Sequence, residues 1–348
     1  MVNNLTRRKF LMSTAVTGSA AYLSLFSTRV LAQDSGTLVI SSYGGSYEEA
    51  QQEALFNPYR TLNPGLKIVL DSPQSDAKLR AMVESGNVSW DLVIVGGHMG
   101  LEADAKWLEP IDYSVVDKSA LREGYAGKYR VGADAEATVL SYNIKAYDKT
   151  PNSFRDFFDS ESFPGPRAAF RHVAGGILEM ALIADGVAPS DLYPIDIDRA
   201  LTKLDTIREQ LVWWETGAQS EQLMTSGETP MGQLWIGRAA QAAERAPVKT
   251  VWDQWLTADA FWVVPKGATN REAAMKAINY FISPEPQARF SSLIPYGPVN
   301  PAADTLVVGK NKGRLPTDHL STAVKQDMEW WNANLAAMDQ RFQAWLIR

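Results

Sequence analysis

Signals for short strands and for helices alternate from residue 37 to residue 95, and this alternation restricts the possible folds more than any other feature of the sequence. Period-two or fully apolar runs predict strands, and longer runs with helical spacing predict the helices between them. Strands and helices that alternate in this way form a parallel sheet covered by helices on both faces, so the sequence predicts an α/β fold. The segments are strand 37–41, helix 47–61, strand 66–70, helix 75–84 and strand 92–95.

Two glycine-rich segments, residues 43–46 and 96–98, follow predicted strands of this region. Ligands of parallel α/β sheets bind beyond the carboxyl ends of the strands, so both segments are expected to face one cleft. Ser46 and Glu49 have the spacing of a capping box, which predicts a helix that begins at Tyr47. Free amides at that helix start would attract an anionic group; the alternative is a tight turn that only begins the helix. The candidate contacts here are Tyr43, Gly44, Gly45, Ser46, Gly97 and His98.

A second alternating region begins near residue 142. Because the chain is longer than a single hydrophobic core usually allows, we expect two lobes. The further predicted elements are strand 137–142, strand 168–170, helix 176–185, helix 198–214, strand 231–235, strand 259–265, helix 270–282 and one or two amphipathic helices within 320–345.

The first 32 residues have the pattern of an export signal. Two arginines and a lysine at residues 7–9 precede a weakly apolar stretch, 13–26, and residues 30–32 fit a signal-peptidase site. The paired arginines predict a twin-arginine signal peptide over residues 1–32 and a free, soluble protein in a Gram-negative periplasm. The alternative, a membrane anchor, needs roughly 20 apolar residues, whereas this stretch contains Ser, Thr and Gly. The chain has no cysteine for a lipid anchor or a disulfide.

The charge balance argues against nucleic acid as a partner. The chain has 34 Lys and Arg against 40 Asp and Glu, and its net charge is −6. Four of the basic residues (Arg7, Arg8, Lys9 and Arg29) and none of the acids belong to the predicted signal, which leaves 30 basic against 40 acidic residues after it. Binding to nucleic acid requires clustered basic side chains that neutralise phosphates, and the remaining chain is acidic.

Four segments carry a resemblance to a known family. They are Tyr43-Gly44-Gly45-Ser46-Tyr47, Trp90-Asp91-Leu92-Val93, Ser141-Tyr142-Asn143 and Trp262-Val263-Val264-Pro265-Lys266-Gly267-Ala268. In this order, at this spacing and behind an export signal, they resemble the spermidine/putrescine-type extracellular solute-binding proteins of ABC importers. The resemblance extends over essentially the whole chain after the predicted signal.

The resemblance implies a two-lobed type II periplasmic-binding-protein fold with the ligand in the cleft between the lobes. The chain would cross between the lobes at two hinges, at about Tyr142 and about Asp259. The first lobe would comprise residues 33–141 and 260–303, and the second lobe residues 142–259 and 304–348. The implied partners are a small-molecule ligand and the inner-membrane permease of the importer, and we expect a monomer.

The resemblance also implies which residues contact the ligand. Tyr43, Trp235 and Tyr296 occupy positions where the family has aromatic walls, and His98 replaces an aromatic residue. The segment that supplies carboxylates in polyamine-binding relatives is Arg171-His172-Val173-Ala174-Gly175-Gly176 here, so candidate contacts Arg171 and Gly176 replace acids.

Two charged residues decide the expected ligand. Arg238 replaces a small polar residue of the polyamine binders, and a guanidinium opposes a cationic ligand but can hold a carboxylate. Asp259 is the acid near a crossover and a candidate partner for an amine. We therefore expect an ω-amino acid such as 4-aminobutyrate, or an organic acid, with a polyamine as the alternative. Both residues also have purely structural alternatives: Arg238 could pair with Glu244 at the surface, and Asp259 could cap or pair at the hinge.

An exported enzyme and a ferric-ion binder are the competing functions. The chain has no cysteine and no G-x-S-x-G sequence, and His98, His172 and His319 lack the spacing of a metal motif. A ferric-ion binder of this fold would need adjacent tyrosines, and no two tyrosines are adjacent. We expect neither catalytic residues nor a metal or other cofactor.

Overall fold

The structure is a computed structural model that describes residues 36–348, and the predicted signal peptide lies outside the described residues. The strands are β1 (Thr37–Ser41), β2 (Lys67–Leu70), β3 (Leu92–Gly96), β4 (Val131–Asp134), β5 (Ala137–Asn143), β6 (Arg167–Phe170), β7 (Leu211–Trp214), β8 (Met231–Trp235), β9 (Val248–Thr257), β10 (Ala260–Val263) and β11 (Ala323–Val324). The helices are α1 (Gly45–Gln51), α2 (Asn57–Leu62), α3 (Asp76–Ser85), α4 (Phe154–Phe158), α5 (Ile177–Ala184), α6 (Ile197–Asp205), α7 (Gly217–Thr225), α8 (Ile236–Arg245), α9 (Arg271–Phe281), α10 (Pro284–Leu293) and α11 (Met328–Leu346).

Shorter helical segments complete the described chain. A π-helical segment, Gln52–Phe56, joins α1 to α2. The 3₁₀ segments are Glu102–Asp104, Lys118–Ala120, Pro189–Asp191, Arg208–Gln210, Pro301–Leu306, Gly309–Asn311, Pro316–Asp318 and Leu320–Thr322. None of the helices between residues 36 and 348 is both long and apolar enough to span a bilayer.

The strands form two separate mixed sheets. The first sheet has the order β2-β1-β3-β10-β4, in which β1 pairs in parallel with β2 and β3 as the sequence predicts. Its fourth strand, β10, comes from much later in the chain and pairs antiparallel with β3 and β4. The second sheet has the order β11-β9-β5-β8-β6-β7.

The chain passes between the two sheets three times, and the first two passages lie side by side. The first passage is the link between β4 and β5, the second is the link between β9 and β10, and the third leads from β10 through α9 and α10 to β11. Ala260 pairs with Asp134 in the first sheet, and the amide of Ala258 donates a 3.1 Å hydrogen bond to the carbonyl oxygen of Glu136. We call the first two links the hinge segments.

The first passage lies earlier than the sequence-based position at about Tyr142. All of β5, including Tyr142, belongs to the second sheet, where Tyr142 pairs with Met231. The passage is therefore at residues 135–136, and the expected crossover at about Tyr142 is wrong. The seven residues of β5 pair with β8 and β9, so they already belong to the second sheet.

The first helix begins two residues before the predicted start. Gly44 is its N-cap residue, with no side-chain capping bond, so the predicted capping box of Ser46 and Glu49 is wrong. Gly44 and Gly45 have φ values of 77° and 57°, a left-handed backbone that glycine adopts without strain. The geometry of these two glycines, rather than side-chain capping, sets the turn from β1 into α1.

The long helix predicted over 198–214 is also wrong in its second half. The helix α6 ends at Asp205, and Leu211–Trp214 forms the edge strand β7, which pairs in parallel with β6. Val212 and the two tryptophans that follow are β-branched and aromatic residues, which fit a half-buried pleated strand better than a helix.

Candidate ligand-binding site

A cavity of about 1240 Å³ is lined by residues from both sheets and from the segments next to their strands. Aromatic walls combined with a few charged and polar groups are typical of small-molecule sites. Eight of the twelve predicted contacts line it: Tyr43, Gly44, Gly97, His98, Trp235, Arg238, Asp259 and Tyr296. Their roles as ligand contacts stay predictions, but the fold brings all eight to one cavity.

The other four predicted contacts do not line this cavity. Gly45 is the first residue of α1, and the hydroxyl oxygen of Ser46 accepts a 3.3 Å hydrogen bond from Gln241. Arg171 is exposed and forms a 2.9 Å ion pair with Glu215. Gly176 is buried at the start of α5, with a left-handed φ of 96°. We leave these four residues out of the proposed site.

One wall of the cavity is aromatic and comes from the second sheet. Phe170 stacks on Trp214 with ring centroids 4.3 Å apart, and Trp235 meets both rings edge-on, at 5.0 and 5.1 Å. His172 stacks on the other side of Phe170 at 5.7 Å. Because Trp214 is fully buried behind Phe170 and Trp235, the two lining rings are fixed in position.

A second aromatic group consists of Tyr43 after β1, Tyr47 in α1 and Tyr296 after α10. Tyr47 contacts Tyr43 and Tyr296, with ring centroids 5.1 and 5.5 Å away. A Cβ atom at Gly237 would lie 2.5 Å from the hydroxyl oxygen of Tyr296. Glycine at this position of α8 therefore lets the Tyr296 phenol approach the helix that carries Arg238.

Arg238 lines the cavity and is only partly neutralised. Its Nη1 donates a 2.8 Å hydrogen bond to Gln241, and it lies 3.7 Å from the Glu221 carboxylate. Glu221 also forms a closer ion pair, 2.7 Å, with Arg245. The alternative partner considered from the sequence, Glu244, pairs instead with Lys310. The guanidinium of Arg238 thus keeps bonding capacity toward the cavity, since it has five N–H donors.

Three carboxyl groups gather at the hinge segments. Glu136 and Asp259 line the cavity, and Asp134 is buried behind them with 1% of its surface exposed. Tyr47 donates a 2.5 Å hydrogen bond to Asp134, and Tyr125 donates one of 2.8 Å to Asp259.

The pKa values of these carboxyl groups are raised because burial disfavours their charged forms. Burial raises the pKa of Asp134 to about 7 and that of Asp259 to about 6. The pKa of Glu136 is raised well above its usual value, first by burial and then by the charges of Asp134 and Asp259.

Sequence reasoning missed Asp134 and Glu136. The available signal was two acids at alternate positions within the otherwise apolar run 131–137. The crossover was expected at Tyr142, and so only Asp259 was considered as a hinge acid. Arg130 and Lys325 also line the cavity and were missed.

Arg130 is a second guanidinium at the cavity. It lies over the ring of Phe261, 4.0 Å from the centroid, and donates to the carbonyl oxygens of Gly97 and Met99. Burial lowers its pKa from the usual value, while the charge of Asp259 raises it. Between residues 36 and 348, no group of three or more His, Asp or Glu side chains has the arrangement needed to hold a metal ion.

Comparisons with known proteins agree with this architecture. The family model described as bacterial extracellular solute-binding protein matches residues 54–317. The gamma-aminobutyric acid-binding protein of Pseudomonas aeruginosa is 35% identical over 347 residues, which cover 94% of this chain and 96% of that protein. A solved structure of the Atu4243 GABA receptor has a TM-score of 0.84 and 38% identity, and the match covers 89% of this chain and 97% of that one.

A polyamine-binding relative is less similar. The spermidine/putrescine-binding periplasmic protein of Escherichia coli K12 is 23% identical over 305 residues, which cover 83% of this chain and 85% of that protein. The family resemblance and the α/β type II fold predicted from the sequence are confirmed. The chain belongs to the bacterial extracellular solute-binding proteins.

Proposed function

We propose that this protein is the substrate-binding component of an ABC importer and that it captures an ω-amino acid such as 4-aminobutyrate. The observation that carries the proposal is that one cavity is lined by the guanidinium of Arg238 and by the carboxyl groups of Glu136 and Asp259. Tyr296 lines the same cavity, and its raised pKa reflects burial first, while the charge of Arg238 lowers it. A cavity with a guanidinium and carboxyl groups can hold a ligand with two opposite charges.

Each end of such a ligand has a partner in the cavity. Arg238 would hold the carboxylate, since a guanidinium is the usual bidentate partner of that group. Asp259 would hold the ammonium group at the hinge. Tyr43 and Trp235 would cover the methylene groups and exclude water. The gamma-aminobutyric acid-binding relative, 35% identical along nearly the whole chain, supports this ligand class.

A polyamine is the second candidate. The three hinge carboxyl groups favour a cationic ligand, and the Escherichia coli relative is named for spermidine and putrescine. Arg238, Arg130 and Lys325 line the same cavity, however, and their positive charges oppose a second ammonium group.

Titration calorimetry with three ligands of four carbons separates these proposals. We expect 4-aminobutyrate to bind more tightly than butyrate, which lacks the amine, and than putrescine, which has two amines. Putrescine binding tightly while both carboxylates fail to bind would replace the ω-amino acid proposal with the polyamine one. Tight binding of butyrate alone would instead indicate an organic acid.

We further propose that the protein acts in the periplasm as a monomer that delivers ligand to an inner-membrane permease. The family assignment supports this role, and the pattern at residues 7–9 supports export by the twin-arginine route. Changing Arg7 and Arg8 to Lys should trap the precursor in the cytoplasm. Unchanged export of this variant would contradict the twin-arginine route, and a dimer mass in light scattering would contradict the monomer.

A further inference from the structure

We propose that Asp134, Glu136 and Asp259 form one ammonium-binding subsite at the hinge segments, and that a bound ammonium group replaces a proton held by these carboxyl groups. This inference rests on the proposed function, because it names the part of the cavity that takes the amine. It adds Asp134 and Glu136 to the site and predicts that ligand binding releases a proton.

The geometry of the hinge segments brings the three acids together. Asp134 is the last residue of β4, Glu136 lies two positions later on the link from β4 to β5, and Asp259 is on the link from β9 to β10. The pairing of Ala260 with Asp134 and the hydrogen bond from Ala258 to Glu136 hold the two links in contact. The two hinge segments therefore present carboxyl groups to the same end of the cavity.

The three carboxyl groups have no cationic partner of their own. None of them forms an ion pair with a Lys, Arg or His side chain of residues 36–348. A buried carboxylate without a partner is costly, so such groups are normally paired or protonated. Within the described part of the chain, the hinge carboxyl groups therefore lack a paired cation that could neutralise them when they are ionised.

Asp134 gives an independent indication that a donor is missing. It is 1% exposed, one carboxylate oxygen accepts from Tyr47, and no N–H or hydroxyl group of the described residues donates to Oδ1. The carboxyl group of Glu136 can bond to Asp134 only when one of the two carries a proton. In the ligand-free protein this shared proton supplies the donor that an ammonium group would supply in the complex.

The tyrosines around the three carboxyl groups do not titrate near neutral pH, so the exchangeable proton belongs to the acids. The titratable and charged side chains that act on the three carboxyl groups, or on the tyrosines in contact with them, are Tyr43, Tyr47, Tyr125, Tyr296, Asp76, Arg122, Arg130, Arg238 and Lys325. The four tyrosines have raised pKa values because of burial and neighbouring acids, so they remain neutral donors at neutral pH. Of the cations, Arg130 and Lys325 act on Asp259 and lower its pKa.

The binding step balances with one proton. Before binding, the acid pair holds one shared proton and the ligand carries its own ammonium proton. On binding, the ligand stays an ammonium ion, and the shared proton of the acid pair is released to solvent. Affinity should therefore rise with pH below neutrality, by up to roughly tenfold per pH unit, and level off once the carboxyl groups are ionised in the free protein.

The number of released protons can be measured by titration calorimetry of 4-aminobutyrate binding at about pH 6.5. The same titration is run in two buffers of different ionisation enthalpy, and the difference in binding enthalpy gives the protons released. We expect a substantial fraction of one proton per ligand. Glu136→Gln should abolish most of this release and weaken binding at least about thirtyfold. The matched control is Glu228→Gln, which removes an exposed carboxylate that does not line the cavity and should preserve both values. Asp134→Asn provides a second variant if Glu136→Gln does not fold.

Each outcome decides the inference. Tight binding of 4-aminobutyrate without proton release would overturn the inference and leave the proposed function intact. Failure of 4-aminobutyrate combined with binding of putrescine and proton release would overturn the proposed ligand and support the subsite. If neither amine binds, both are wrong.

Discussion

The hydroxyl group of Tyr125 donates a 2.8 Å hydrogen bond to Oδ1 of Asp259, which joins the 121–126 loop to the second hinge segment. This bond favours the ionised carboxylate and lowers the pKa of Asp259, whereas burial raises it to about 6. The ring of Tyr125 also stacks on Phe261, with centroids 5.9 Å apart, so the donor is fixed in place. The phenol thus helps to keep a negative charge at the cavity.

Replacing Tyr125 with Phe should weaken 4-aminobutyrate binding at neutral pH. A hydrogen bond to a charged group contributes about 1.5–3 kcal/mol, and without it Asp259 would titrate at a higher pH. Calorimetry over a range of pH should show a lower affinity and a binding midpoint shifted to higher pH. Tyr113→Phe is the control, because Tyr113 donates to the carbonyl oxygen of Gly127 and does not line the cavity. Equal pH profiles for the two variants would argue against this role of Tyr125.

Replacing Arg238 with Ala should reduce the affinity for 4-aminobutyrate by at least about thirtyfold, since losing one partner of a buried charged contact typically costs about 2–5 kcal/mol. Arg238→Lys should recover only part of the affinity, because an ammonium group lacks the planar pair of donors. Titration calorimetry measures both.

Arg245→Ala is the matched control for Arg238. Both arginines approach Glu221, but the Arg245 side chain is 71% exposed and does not line the cavity. Its removal should change the affinity by no more than about twofold, as for other exposed ion pairs. If Arg238→Ala and Arg245→Ala weaken binding equally, Arg238 acts through Glu221 and not through the ligand.

The stability of the ligand-free protein should fall as pH rises from about 4 to about 7. Folding raises the pKa of Asp134 to about 7, so in this range the folded protein holds a proton that the unfolded chain has lost. The free energy of unfolding therefore decreases with pH, by up to about 1.4 kcal/mol per pH unit for one such group.

Urea unfolding at several pH values tests this effect through Asp134→Asn. The stability of this variant relative to the wild type should increase with pH, because the amide never ionises. Asp253→Asn, a change at an exposed position of β9, should give a pH-independent difference. A parallel pH dependence for wild type and Asp134→Asn would contradict the raised pKa.

Replacing Glu179 with Ala should lower the free energy of unfolding by about 3–5 kcal/mol. Glu179 is fully buried, and its Oε1 accepts hydrogen bonds from Tyr193, Gln326 and Trp331 at 2.7–2.8 Å. These donors would be left unpaired, whereas Glu179→Gln keeps an acceptor oxygen and should cost less. Denaturant unfolding measures both, with exposed Glu209→Ala as the control. A loss below about 1 kcal/mol for Glu179→Ala would show that water replaces the carboxylate.

The local sequence determined the fold class and most of the strands. The apolar run 92–95 is short, lies between Asp91 and Gly96, and forms most of the strand β3. The segment predicted as a strand at 231–235 forms β8. The glycine-rich segment after β1 and the aromatic residue at 235 were recognisable from the sequence, and Gly44 and Trp235 line the cavity. Local periodicity failed at 198–214, because whether Leu211–Trp214 extends as a helix or a strand depends on the neighbouring strand β6.

Only the tertiary structure decided which charged residues meet. Asp134 and Asp259 are distant in sequence and come together because β4 and β10 pair in one sheet, with β4 ending and β10 beginning at a passage between the sheets. Arg171 and Arg238 are alike in sequence terms, yet one pairs with Glu215 at the surface and the other faces the cavity. A single sequence specifies strands and helices through short-range preferences, whereas charge partners and burial, and with them the pKa values, depend on contacts between distant segments.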